Sequence, residues 1–230
     1  MAEEYFRPDE MINQSIAEMN LTEEIASIID IITKEGLRLT ELFNALCGGK
    51  VELVKKGYEY IRSLKEDAQL KKEKTMEYLV RVAPSLLDRE IYTFALYHLD
   101  ILSQQLDELA FKLSIAASEL SKVDGDICLE ATRVVQILKE MLDYLLAGAK
   151  SINVNRTKAL ELTNRVINYE NDVDIVYRSL EQRIIEKMAQ SREFLLAYSL
   201  MREVLSFAEG TADLARDIAY DLKYIVFYRK

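Results

Sequence analysis

The residues of this chain best placed to do chemistry are carboxylates spaced one helical turn apart. One stretch reads Glu170-Asn-Asp-Val-Asp174-Ile-Val-Tyr177, and another reads Glu209-Gly-Thr-Ala-Asp213-Leu-Ala-Arg-Asp217-Ile-Ala219. Residues four apart lie on one side of a helix, where two like charges repel by a few tenths of a kcal/mol. A cation held between them reverses that sign. Oxygen-only donors suit hard ions such as magnesium, calcium, manganese or ferric iron. A single Glu-x-x-x-Asp is common on the solvated face of an acidic helix. Two such pairs on consecutive helices are a more selective pattern, with Asp217 one further turn along.

The elements that position these groups are helices. At about 100° per residue, Val166, Tyr169, Val173 and Leu180 form one apolar stripe, and Leu205, Ala208, Ala212 and Ala219 form another. Glu170, Asp174, Glu209 and Asp213 fall at or beyond the edges of those stripes. They are therefore expected to line an open groove, not a buried cage. Gly210, Ala212 and Ala215 beside them should let a neighbouring helix come close.

Composition points the same way. Among 230 residues there are only 7 glycines and 2 prolines, too few turn-makers for an all-β sandwich or barrel and unfavourable for a doubly wound α/β fold. Half of the chain is hydrophobic, enough for a sizeable core. Apolar residues recur at three- and four-residue steps over most of the length. Pro8-Asp9 opens the first helical region. Residues 9–47 read as one bent helix or as two, with a second start at Asn20 and Glu23. Gly48-Gly49 stops that region, and 50–82 is the second long helix. Pro84-Ser85 is the next boundary, with Ser85 expected to cap a helix over about 86–121. Asp124-Gly125-Asp126 is a turn before a fourth helix over about 127–149. A polar loop from Ser151 to Asn155 precedes a fifth helix ending near Gln190. A weak break near Ser191 leads to a sixth ending near Tyr228. Several of these are roughly 30–37 residues, or about 45–55 Å, long. The fold class is all-α: six long helices in two tandem three-helix bundles, with repeats at 1–123 and 124–230.

Other chemistries lack their residues. The formal charge of −9 disfavours nucleic acid. Lys71, Lys72 and Lys74 cluster, but Glu66, Glu73 and Glu77 surround them. Cys47 and Cys128 form no Cys-x-x-Cys and are expected as free buried thiols, although a disulfide between them stays open. The only histidine, His98, has no glutamate three residues before it, so a di-iron Glu-x-x-His site fails; it reads as a surface or interface residue. No Gly-x-Ser-x-Gly and no Walker-type loop occurs. The thirteen tyrosines read as packing and interface residues. Met1-Ala-Glu-Glu lacks the basic and apolar regions of a signal peptide, and no apolar run approaches the ~20 residues of a membrane span. A cytoplasmic chain that reaches the membrane through a partner or an amphipathic face is expected.

The acidic motifs resemble the PhoU-like family. Glu209, Asp213, Ala215, Ile218 and Ala219 fit its C-terminal pattern Leu-Glu-x-Ile-x-Asp-x-Ala-x-x-Ile-Ala, and Glu170, Asp174, Tyr177 and Arg178 fit the motif of the preceding helix. The resemblance covers about 157–226 closely, and the whole chain through helix count and order. It implies two three-helix repeats with a Glu/Asp-x-x-x-Asp motif on the second and third helix of each. The first half departs. Its motifs are expected at Lys65 to Gln69 and at Asp100 to Gln104, where Lys65 replaces a glutamate and Gln69 and Gln104 replace aspartates. Such departures resemble the archaeal or Pit-permease-associated branch. At most one metal cluster is therefore expected, held by Glu170, Asp174, Glu209, Asp213 and Asp217, with iron, manganese, zinc or magnesium as the ion. The implied function is a non-enzymatic regulator or adaptor of phosphate uptake, contacting a phosphate transporter or signalling partner at the cytoplasmic membrane face, with a homodimer compatible. The alternatives are a metal-free helical scaffold or dimerisation module and, more weakly, a carboxylate-based phosphohydrolase.

Overall fold

The computed structural model describes residues 8–86, 88–190 and 192–228, with 8–15 as backbone only. The expectations at Met1-Ala-Glu-Glu and at Ser191 lie outside the described residues. The helices are α1 (Pro8–Cys47), α2 (Val51–Val82), α3 (Arg89–Leu120), α4 (Gly125–Ser151), α5 (Arg156–Gln190) and α6 (Leu195–Tyr228), with a 3-10 turn at Ala83–Ser85 between α2 and α3. The first region is one helix of 40 residues. Asn20, read as a second start, lies inside it and donates from its amide to the Tyr78 hydroxyl at 3.0 Å.

Gly48-Gly49 does end α1. Gly49 adopts φ 68°, open to glycine without cost. The Lys50 amide donates to Ala45 and the Gly49 amide to Leu46, the double closure of a Schellman stop. Ser85 does not cap the next helix. It lies in the 3-10 turn, and Asp88 takes the N-cap position of α3 without a side-chain cap hydrogen bond. Proline at position 84 restricts its neighbours and favours the short turn over a longer helix.

In the first bundle α2 packs on α1 and α3; in the second α5 packs on α4 and α6. The bundles join through α1 against α4 and α3 against α6. The core is one connected cluster running through both, from Leu21 and Phe43 to Leu205 and Ile225. At the α1/α4 contact a Cβ on Gly36 would overlap the Leu142 side chain, so glycine sets that approach. Polar ties also cross between bundles. Thr22 donates to Asn153 at 2.7 Å, and Lys112 pairs with Glu203 at 2.6 Å. Cys47 and Cys128 form a disulfide linking the end of α1 to the start of α4. This corrects the free-thiol expectation: both cysteines lie at helix ends that the α1/α4 packing brings to a Cα–Cα separation of 5.7 Å. No helix among the described residues is long and apolar enough to cross a membrane.

Candidate functional site: the α5/α6 carboxylate groove

The stripes that orient the acidic residues form as the periodicity predicts. Val166, Val173 and Leu180 of α5 are buried, with Tyr169 packed partly against the core, and Leu205, Ala208, Ala212 and Ala219 of α6 are buried. The carboxylates lie along the seam between these helices at graded depth. Glu170 is 13 % exposed, Asp174 26 %, Asp213 42 % and Asp217 48 %. Close helix approach comes through Ala212 and Ala215, both fully buried. Gly210 contributes nothing to it, because the space around its Cα is open.

The residue that organises the seam is Arg216, which the spacing of the acids did not single out. Its Nη1 pairs with Glu170 across the helices and with Asp213 at 2.7 Å on its own helix; Nη2 pairs with Asp217 at 3.3 Å. Burial works against the arginine's charge, but Asp213, Glu170 and Asp217 together outweigh it and hold its pKa above the ordinary value. Asp174 is engaged separately by Arg178 at 2.6 Å. Glu209 has no ion-pair partner among the described residues. Its pKa is raised first by burial and then by the charges of Asp213, Asp174 and Glu170. Glu170 is raised by burial against the pull of Arg216.

The five predicted ligands thus share one seam, but they do not converge on a common open point. Arg216 brings Glu170, Asp213 and Asp217 together around its own guanidinium, while Asp174 and Glu209 stand outside that contact. Among the described residues no group of three or more histidine, cysteine, aspartate or glutamate side chains is arranged to hold a metal ion. The donor set in this arrangement does not fit a cluster, since a fixed organic cation stands where three carboxylates meet. A signal was present in the sequence: an arginine three residues after Asp213 lies on its side of the helix, within reach of the same groove.

The first bundle holds a second polar cluster. Lys65 stands as far into α2 as Glu170 into α5, and Ser103 and Asp107 stand as far into α3 as Glu209 and Asp213 into α6. The expected α3 positions, Asp100 and Gln104, bond to each other at 3.1 Å, and Asp100 also pairs with Lys72. Lys65 donates to Gln69 at 3.2 Å. The cluster is completed from α1 by Glu35, which is fully buried and accepts a hydrogen bond from Ser103 at 2.8 Å. Glu35 Oε2 and Asp107 Oδ1 are buried without a hydrogen-bond partner among the described residues. Burial pushes Glu35 up to about 8, with the Asp107 charge adding to it against the Ser103 bond and Lys65. Asp107 is raised as well, by burial. Glu35 occupies the core stripe Ile28, Ile32, Leu39 of α1, and that misplacement of a charge was legible in the periodicity.

His98 is an interface residue. Its Nδ1 lies 2.6 Å from Asp221 of α6, tying the two bundles. Asp221, which in the sequence only interrupts an apolar run, is mostly buried, and burial raises its pKa against the pull of His98.

No protein-family model matches the chain, and no curated protein does. Its architecture is similar to that of PhoU from Pseudomonas aeruginosa, at 15 % identity and a TM-score of 0.67, covering 89 % of this chain and 98 % of that one. A PhoU-like protein from Shewanella oneidensis is similar at 14 % identity and a TM-score of 0.65, covering 90 % and 99 %. The phosphate transport system regulatory protein PhoU from Streptococcus pneumoniae is similar at 13 % identity and 0.57, covering 92 % and 96 %. The fold is therefore the PhoU-like arrangement of two three-helix bundles.

Proposed function

We propose that this chain is a non-enzymatic regulator of phosphate uptake that works as an adaptor, contacting a phosphate transporter or its signalling partner at the cytoplasmic membrane face. The observation that carries the reading is the end-to-end likeness to solved PhoU structures, one of them a phosphate transport system regulatory protein. The likeness takes in both bundles in their chain order, not one helical hairpin. The residues Glu170, Asp174, Tyr177 and Arg178, with Glu209 and Asp213, support it from the sequence side. The replacements at Lys65 and Gln69 favour the Pit-permease-associated branch within it.

The test is genetic and biochemical. Deleting the gene in its own cells should alter phosphate uptake or the transcriptional response to phosphate starvation. A tagged copy cross-linked in those cells should recover a phosphate permease, its ATPase or the cognate sensor. Unchanged uptake and unchanged starvation response on deletion sink the reading.

A metal-free adaptor is favoured by one observation, the placement of Arg216 among the carboxylates. A metal enters the reading only if Arg216 swings out. Elemental analysis after exposure to iron, manganese, zinc or magnesium separates the two forms. Retained metal that disappears in the Glu170→Ala, Asp174→Ala, Glu209→Ala, Asp213→Ala variant restores the metal-binding form of the proposal, whereas no retained metal leaves the adaptor surface alone.

A further inference from the structure

The Cys47–Cys128 disulfide is built unevenly. Cys47 is the last residue of α1 and is exposed, as are Asn44 before it and Gly48, Gly49 and Lys50 after it. A Cβ on Gly49 would meet nothing within 4 Å, so that flank is open to an approaching group. Lys50, three residues on, adds a positive charge there. Cys128 is 3 % exposed and sits in the first turn of α4, where its amide donates to the Asp124 carbonyl at 3.0 Å. The acids around that turn are neutralised from α5: Lys187 pairs with Asp124, and Arg183 with Asp126 and Glu130.

Exchange at such a disulfide has a direction. An attacking thiolate takes one sulfur, and the other leaves as a thiolate. Access favours attack on Cys47. Departure favours Cys128: side chains of a helix tilt back towards its N-terminus, where unpaired amides favour a negative charge. Cys47, at the C-terminal end of α1, faces the opposite sign. The reduced state is provided for as well. Cys47 Sγ lies 3.1 Å from the Cys128 carbonyl oxygen and 3.2 Å from the Thr132 hydroxyl, so a Cys47 thiol finds an acceptor for its proton without rearrangement. Opening the bond frees one end of a junction. Lys150 with Asp30, and Asn153 with Thr22 and Met19, hold the far end of the α1/α4 pair; at the near end the covalent link does so.

We propose that Cys47–Cys128 is a thiol–disulfide exchange site, opened at Cys47 by a dithiol protein reductant of the thioredoxin class, and that its redox state sets how firmly α1 and α4 are held at this end. One reductant thiolate bonds to Cys47 Sγ, the bond between the cysteines breaks, and its electron pair leaves on Cys128 Sγ, which takes up a proton from water. The second reductant thiol, having lost its proton to solvent, attacks the mixed disulfide, closes the reductant's own disulfide and releases Cys47 Sγ, which is protonated in turn. Two electrons and two protons pass from the dithiol to the cysteine pair. This stands independently of the phosphate-regulation reading, which uses neither cysteine.

Trapping on the oxidised, folded full chain tests it. A thioredoxin whose resolving cysteine is replaced by serine stops at the mixed disulfide, and peptide mass spectrometry reads which sulfur it holds. Cross-links to Cys47 should exceed those to Cys128 by about ten-fold or more. Intact thioredoxin should reduce the pair in the folded chain. Hydrogen exchange of the amides at 46–50 and 124–128 should then quicken by about ten-fold or more, with the α5/α6 seam around Arg216 unchanged. The Cys47→Ser, Cys128→Ser variant should exchange like the reduced parent, which separates loss of the link from any other effect of the reductant. Trapping mainly at Cys128 overturns the proposal. So does a disulfide that thioredoxin reduces no faster than the chain unfolds, which would make it a structural staple alone. Equal exchange at these two ends in the oxidised and reduced chains overturns it too.

Discussion

The two bundles place charge at matching depths along matching helices and neutralise it by different means. In the first, Glu35 enters from α1 into the core, where burial raises its pKa to about 8, and Lys65 stands nearby on α2. In the second, the charges stay on the α5/α6 seam, and Arg216 gathers Glu170, Asp213 and Asp217. A guanidinium offers several donors in a fixed fork and serves three carboxylates at once; a lysine offers a point charge on a flexible stem. The first cluster is therefore controlled by protonation and the second by ion pairing. Their responses to pH and to mutation should differ in sign as well as in size.

The largest expected effect comes from separating the bundles. The Cys47–Cys128 link closes a sequence separation of 81 residues. The chain-entropy account assigns a loop of that length about 4.5 kcal/mol. Reduction, or Cys47→Ser with Cys128→Ser, should lower the thermal midpoint by several degrees. A midpoint that does not move would mean that the α1/α4 packing alone sets the relation of the bundles.

The next effect sets the clusters against each other through pH. Glu35 binds its proton more tightly in the folded state than in the unfolded chain, so the folded state holds more protons between the ordinary glutamate range and about 8. Stability should be full below that range, fall as pH rises through it, and level off above about 8. Glu35→Gln keeps the Ser103 hydrogen bond and removes the titration. It should change little in acid, below the ordinary glutamate range, and be more stable than the parent by about 3 kcal/mol near neutral pH and by somewhat more in mild alkali, given about 1.4 kcal/mol for each unit of pKa difference. Urea unfolding across pH reads this directly. Parallel curves for parent and variant would show that Glu35 is not the titrating group.

Much of this was legible before any coordinates. The six helices, the Gly48-Gly49 stop, the apolar stripes of α5 and α6 and the outward placement of their acids all follow from periodicity. What the pattern did not give were contacts made across helices. Arg216 lies in the same helix as two of its partners, yet its importance depends on Glu170 reaching it from α5. Glu35 and Asp221 lie on buried stripes and were passed over because a charge within an apolar run reads as an interruption, not as a buried partner. On α3 the resemblance places the motif at Asp100 and Gln104. Distance from the start of the helix leads to Ser103 and Asp107 instead. Pairing of the cysteines depends on the α1/α4 approach, which no local pattern encodes.

A smaller effect is expected in the second bundle. Arg216→Ala leaves Glu170 and Asp213 facing each other without their shared cation. Glu170 is mostly buried and Asp213 is not, so solvent screening limits the loss to about 1–2 kcal/mol. Manganese or magnesium should then raise the melting temperature of the variant and leave that of the parent unmoved, since the carboxylates freed by the substitution are hard-ion donors. Equal responses of the two proteins would show that Arg216 does not stand in the way of a cation.

The smallest effect belongs to Lys65, and it tests whether the first cluster is governed by protonation at all. The lysine lowers the pKa of Glu35 and of Asp107 through its charge, but burial is the larger influence on both. Lys65→Met keeps the stem and removes the charge. The fall in stability with pH should then extend upward beyond about 8 by less than a unit, while stability near neutral pH stays within a few tenths of a kcal/mol, because Glu35 is already protonated there. Loss of the same size as in Arg216→Ala would mean that Lys65 acts as the ion-pair hub of the first bundle, and the difference between the bundles would shrink to one of depth. A displaced pH curve at unchanged neutral stability keeps them distinct: a proton satisfies the inner carboxylate, and an arginine satisfies the outer ones.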